Sequence, residues 1–151
     1  MRIDQIMTKG LVTVTMDDSV WQVQRLFEKH RFHHLPVVEH AKLVGVISDR
    51  DLLRSLSPFV GQVTERKRDR ATLRRRVHQI MTREPVYVTP DTSVEDAAAL
   101  LLKKGVSCMP VVDENTRPIG IVTWRDFLKA LVQPTGVSSQ TSEHNSDQPR
   151  A

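Results

Sequence analysis

The chain has 151 residues, 39% hydrophobic and 26% charged, with one cysteine and a net charge of +4. That composition fits one ordinary globular domain or two small ones; it excludes a disulfide framework, and no apolar run is long enough to span a bilayer. The positive excess is local, held mostly in ERKRDRATLRRR (Glu65 to Arg76), so a nucleic-acid footprint over the whole surface is not expected. The opening MRIDQIM has no apolar signal core, and with Cys108 as the lone cysteine a reducing cytoplasm is expected.

In chain order, a short turn ending in Met7-Thr8 leads into a β-rich run, Val12–Thr15. A helix is predicted to open at Ser19, which forms a capping-box pattern with Gln22 and precedes the apolar stripe Val20, Val23, Phe27. Two strands follow, His34–Val38 and Leu43–Ile47, and then a helix starting at Ser48 with Leu52, Leu53 and Leu56 as its apolar side. Pro58 and Gly61 end that helix. Within the charged segment 57–79, the stretch Thr64 to Val77 is predicted as one helix with Leu73 and Val77 on one side.

The same order then recurs. Met81-Thr82 precedes a β-rich run, Val86–Thr89, and a helix opens at Ser93 with Asp96 as a weaker box and Val94, Ala97, Leu101 as its stripe. Strands Met109–Val112 and Ile119–Val122 lead to a helix at Thr123 with Phe127, Leu128 and Leu131. From Gln133 to Ala151 the chain is rich in Ser, Gln, Pro and Thr and is expected to be a disordered tail.

This recurrence is a true repeat. IMTKGLVTVTMDDSV matches IMTREPVYVTPDTSV, HLPVV matches CMPVV, and GVISDRD matches GIVTWRD, with one residue gained before the second glycine motif. The expected class is α/β (α+β): two β-α-β-β-α units, each with helices on one sheet face, burying their bare faces together. The expected boundaries are 1–56 for the first unit, 57–79 for a charged linker, 80–132 for the second unit and 133–151 for the tail.

Ser48-x-x-Asp51 and Thr123-x-x-Asp126 admit two compatible readings. One is helix capping. In the other, the helix N-terminus and the hydroxyl receive a phosphate while the acid accepts from ribose hydroxyls. Arg50 and Arg125 are either surface charges or further phosphate contacts. His33 and His34, with His30 and His40 nearby, invite a metal reading, but adjacent strand residues face opposite ways and no cysteine or acid cluster completes a set. Cys108, at the start of a predicted buried strand, reads as inert packing. Arg66 to Arg76 read as a solvated helix or as electrostatic guidance for a polyphosphate or an acidic partner.

The Met-Thr opening, the h-x-P-V-V strand and the G-h-h-[ST]-x-x-D close, each present twice between Ile3 and about Val132, resemble the cystathionine β-synthase (CBS) domain family in tandem, the Bateman module. The resemblance implies two clefts related by a pseudo-two-fold axis, a homodimer, and a non-enzymatic regulatory role: binding AMP, ATP or an adenosyl compound and signalling occupancy to an enzyme or transporter. It implies ligand contacts from Thr8 and Val12, from Thr82 and Val86, and from basic residues at the His33 and His34 positions. On this basis His33 and His34 are expected at the cleft of Ser48 and Asp51, and Ser107 and Cys108 at that of Thr123 and Asp126, leaving the latter poorer in phosphate contacts. No catalytic cofactor is implied. No catalytic barrel, transport helix or third module is legible, so a stand-alone pair is expected, similar to the CBS part of bacterial acetoin-utilisation accessory proteins. The rival expectation is a structural dimerisation protein with vestigial clefts.

Overall fold

The structure is a computed structural model and describes residues 1–133. The expectation for the tail therefore lies outside the described residues, apart from Gln133. The first repeat runs β1 (Val14–Thr15), α1 (Val20–Lys29), β2 (His34–Glu39), β3 (Lys42–Ser48) and α2 (Asp49–Ser55). The linker holds α3 (Lys67–Ala71), a 3-10 turn (Thr72–Arg74) and α4 (Val77–Ile80). The second repeat follows as β4 (Thr82–Arg83), α5 (Val94–Lys104), β5 (Cys108–Val112), β6 (Pro118–Thr123) and α6 (Trp124–Val132).

The helices begin where their caps dictate. Ser19 and Gln22 form both arms of a capping box: Ser19 N–H donates to Gln22 Oε1 at 2.7 Å and Gln22 N–H to Ser19 Oγ at 3.2 Å. At α5 only one arm forms, from Asp96 N–H to Ser93 Oγ at 3.0 Å. Gly105, at φ 64°, ends α5 in the left-handed conformation that glycine adopts without a Cβ penalty.

Each repeat has its own core. Val20, Val23, Leu35, Val37, Ile47 and Leu52 centre the first; Ala97, Leu101, Met109, Val111 and Val122 centre the second. Strand alternation, reset before Leu43 by the bulge in the β2–β3 pairing at Val37/Val38, sends the other set of side chains to the opposite sheet face. Pro36, Leu43, Val46, Cys108, Pro110 and Val112 are buried there, outside both cores. Across that seam Leu43 N–H donates to the Thr116 carbonyl at 2.9 Å, and His34 Nε2 meets Ser107 Oγ at 3.2 Å.

The repeats also exchange their entry segments. Thr82 and Arg83 pair antiparallel with Val46 and Gly45, extending the first sheet to the order β1-β2-β3-β4. Reciprocally, Thr8 bridges Ile121 of the second sheet, with N–H···O bonds of 2.9 and 3.0 Å in the two directions. Ile3 is fully buried in the second core and Val77 in the first. The glycine of each repeated motif makes room for this exchange. A Cβ on Gly45 would lie 2.8 Å from Met81 Sδ and 2.9 Å from the Thr82 carbonyl; one on Gly120 would lie 2.5 Å from Met7 Sδ.

Several expectations are corrected. The leading β-rich runs shrink to β1 in the first copy and to a single Val88–Val111 bridge in the second. The helix expected over Thr64 to Val77 is broken, because Arg75 and Arg76 are extended and pair with the first repeat: Val20 N–H donates to the Arg75 carbonyl at 2.7 Å. Asp69 secures the remaining helix by accepting from Ser57 Oγ at 2.7 Å and Arg66 N–H at 2.8 Å. Leu53, Leu128 and Leu131 are exposed: Leu53 and Leu128 each lie 100° around the helix from a core-facing neighbour, Leu52 or Phe127, while Leu131 lies in the last turn of α6.

Candidate functional site

Two clefts open between the repeats, one on either side of the seam. The wider, about 540 Å³, brings Thr8 to Thr123, Arg125 and Asp126, with His33 on the opposing wall. The narrower, about 290 Å³, brings Thr82 and Val86 to Ser48, Arg50 and Asp51, with Ser107 and Cys108 opposite. Each cleft therefore joins the hydroxyl-x-x-Asp motif of one repeat to the Met-Thr segment and strand entry of the other. Local sequence cannot reveal this, because it results from the chain crossing between sheets.

The helix starts are built alike. Ser48 N–H donates to Asp51 Oδ2 at 2.9 Å, and Asp51 N–H donates to Ser48 Oγ at 3.1 Å. Thr123 N–H donates to Asp126 Oδ2 at 2.8 Å, with its hydroxyl 3.3 Å from the same oxygen. In both acids Oδ2 is used by the helix start, while Oδ1 receives no hydrogen bond from the described residues. The capping reading thus holds in the structure, and it leaves one carboxylate oxygen per cleft available to a hydroxyl-bearing ligand. An anion near either helix start would meet Arg50 or Arg125, both exposed, and the latter carries its guanidinium 5.9 Å over the Trp124 ring.

The histidines are not distributed as expected. His33 lines the wide cleft with Asp126, not the narrow one with Asp51, and its Nδ1 lies 2.8 Å from Asp49 Oδ2. His34 turns to the seam, touches Ser107 and lines both clefts. His33 lies just before β2, where its carbonyl accepts from Asp49 N–H at 3.0 Å, whereas His34 is the first residue of the strand. Burial lowers the pKa of His34 below the ordinary imidazole value, with Asp49 opposing that shift. Burial, reinforced by the charge of Asp51, pushes the Cys108 thiol up to about 12, which makes it a packing residue at neutral pH.

Val12 lines neither cleft: it packs against the first core, while its counterpart Val86 borders the narrow cleft. The Arg66 to Arg76 stretch also lines neither, and Arg76 is spent structurally, donating to the Asp17 carbonyl at 2.9 Å. Sequence reasoning missed Arg31, Lys129 and Trp124 in the wide cleft, and Arg54, Glu84 and Gly105 in the narrow one. A signal existed for two of them. Arg54 and Lys129 each follow the motif arginine by four residues, which places them on the same helix face.

The CBS domain family profile matches residues 3–58 and 77–133. A CBS domain-containing protein of Dictyostelium discoideum is 34% identical over 133 residues, covering 87% of this chain and 91% of its own. An uncharacterized protein of Methanocaldococcus jannaschii is 30% identical over 136 residues; the match covers 89% of this chain but only 45% of that protein. Among solved structures, CBSX2 in complex with AMP is 32% identical with a TM-score of 0.72, covering 87% of this chain and 96% of that one. The CBS domain pair of protein MJ0100, in complex with 5-methylthioadenosine and S-adenosyl-L-methionine, is 28% identical with the same TM-score and coverages. A putative acetoin utilization protein from Vibrio cholerae shares the fold at 22% identity and a TM-score of 0.70, over 87% of this chain and 90% of that one.

Proposed function

The chain belongs to the CBS domain family as a tandem pair, and from that premise we propose that it is a regulatory module binding an adenine-containing ligand in its inter-repeat clefts. The observation that carries this reading is the doubled helix start: in each cleft a hydroxyl, an arginine and an acid with a free Oδ1 sit together at a helix N-terminus. That set matches the needs of a nucleoside, with ribose hydroxyls on the acid and any phosphate near the arginine and the helix amides. Two similar CBS pairs have structures with AMP and with adenosyl compounds, which supports the same ligand class here. The role is binding and signalling, not catalysis, with occupancy passed to a regulated enzyme or transporter.

Signalling requires two packings with different affinity for the ligand, since equal affinity shifts nothing. A homodimer supplies them. Trp21, Leu53, Leu102 and Leu131 are exposed apolar residues on the outer helices, and a second copy covering them would couple ligand-driven shifts between subunits. Among the described residues no helix is long and apolar enough to cross a membrane.

A thermal-shift screen against adenosine, AMP, ATP and S-adenosylmethionine tests the ligand class, because a ligand at about 100 Kd adds ~2.7 kcal/mol of stability. At least one adenosyl compound should raise the midpoint, and guanosine should do so less. No shift from any adenosyl compound would leave the structural dimerisation reading in its place. Sedimentation equilibrium checks the dimer, with Leu53→Glu expected to yield monomer and an unchanged mass counting against that interface.

A further inference from the structure

The two clefts share their motif residues and differ in what crosses to meet them. Arg125 and Lys129 of the wide cleft correspond to Arg50 and Arg54 of the narrow one. Opposite them, however, Arg31, His33 and His34 at one strand entry are replaced by Gly105, Ser107 and Cys108 at the other. The turn after each Met-Thr adds to the contrast. Gly10 and Glu84 occupy the same repeat position, both in the left-handed region at φ 72° and 50°. Glycine adopts that backbone freely, whereas glutamate bears a steric cost there. That costly position places a carboxylate on the wall of the narrow cleft, where Glu84 forms no ion pair among the described residues.

The formal charges follow. Arg31, Arg50, Arg125 and Lys129 face Asp49 and Asp126 across the wide cleft, an excess of positive charge even with both histidines neutral. In the narrow cleft Arg50 and Arg54 are balanced by Asp51 and Glu84. Size runs the same way, about 540 Å³ against 290 Å³.

We propose that the clefts take different ligands: the wide cleft a nucleotide with two or three phosphates, the narrow cleft an adenosyl compound without phosphate. This rests on the adenosyl-ligand reading above and makes it specific. The wide cleft surrounds a phosphate chain with cations from both repeats, which charge-assisted hydrogen bonds exploit. The narrow cleft keeps the ribose acid but sets Glu84 against any phosphate, so that like charges repel. The module then reads two ligands at once.

Titration calorimetry on the full chain, with ATP and adenosine as probes at low salt, tests this. ATP should saturate at one per chain, and adenosine should still bind at one per chain when ATP is saturating. Arg31→Gln combined with Lys129→Gln, both exposed side chains, should weaken ATP by about tenfold or more while the adenosine bound beside ATP is unaffected. Glu84→Gln should admit ATP to the narrow cleft, raising the ratio towards two. Complete displacement of adenosine by ATP, an ATP affinity indifferent to the double substitution, or a chain that binds adenosine but fails to bind ATP would each overturn the division while leaving the adenosyl reading standing. Binding of neither probe would overturn both.

Discussion

Asp51 and Asp126 each commit one carboxylate oxygen to a helix start. Oδ2 fixes the start of α2 or α6, which holds the side chain in place, and Oδ1 receives no hydrogen bond from the described residues, which is the oxygen the proposed ligand would use. The hydroxyl-x-x-Asp spacing made both acids legible in the sequence, because capping and ligand binding ask for the same geometry. The partition of His33 and His34 was not legible, since it depends on where β2 begins and on which repeat lies across the seam. The environment of His34 should also show in a pH titration. Its pKa is lowered by burial, against the opposing charge of Asp49 and with His33 and Arg50 disfavouring the imidazolium. The unfolded chain therefore binds the proton more readily than the fold does. The contribution of neutral His34 is complete above the unfolded value of about 6.5 and is lost as pH falls through the lower, folded value. His34→Gln, which can still reach Ser107, should flatten the decline in urea midpoint between about pH 7 and 5. An identical decline in both proteins would show that the titration of His34 does not govern it.

Among the elements, the Met-Thr segments matter most, because they tie each repeat to the other's sheet. The sequence displayed both the Met-Thr pair and the glycine motif twice, yet it gave no sign that the two touch across repeats. The contact is non-local, and neither hydrophobic period nor turn chemistry encodes it. Glycine substitutions expose it. Gly45→Ala would drive a methyl against the Thr82 carbonyl as well as Met81 Sδ, so it should cost roughly 1–3 kcal/mol in chemical denaturation. Truncating Met81 to Ala should not restore the loss, because the backbone oxygen at 2.9 Å remains. At Gly120 the closest obstacle is the flexible Met7 side chain, with the Thr8 carbonyl at 3.2 Å, so Met7→Ala should relieve most of the Gly120→Ala penalty. Equal rescue at both sites would contradict this account of the exchange. The broken linker helix follows from the same exchange: Arg75 and Arg76 leave helical geometry to pair with the first repeat, so a long-range demand overrides local helix propensity.

At the scale of the whole molecule, the repeat itself made the architecture legible. Two copies of one β-α-β-β-α order, with strands such as Cys108–Val112 apolar on both faces, leave little choice but paired units meeting through their sheets. What the repeat concealed is the asymmetry, because aligning two copies draws attention to what is shared. The differences that set the clefts apart are Arg31 against Gly105 and Gly10 against Glu84, and each looks like ordinary loop variation until the fold places it beside a cleft or its turn. The central claim is that the free oxygens of Asp51 and Asp126 receive an adenosyl ligand between the repeats. A crystal structure of the protein grown with AMP tests it most directly. The account expects ribose hydroxyls within about 3 Å of Asp126 Oδ1 or Asp51 Oδ1, with the phosphate towards Arg125 or Arg50. Nucleotide bound away from both clefts, with the two acids bonded only to their helix starts, would contradict it.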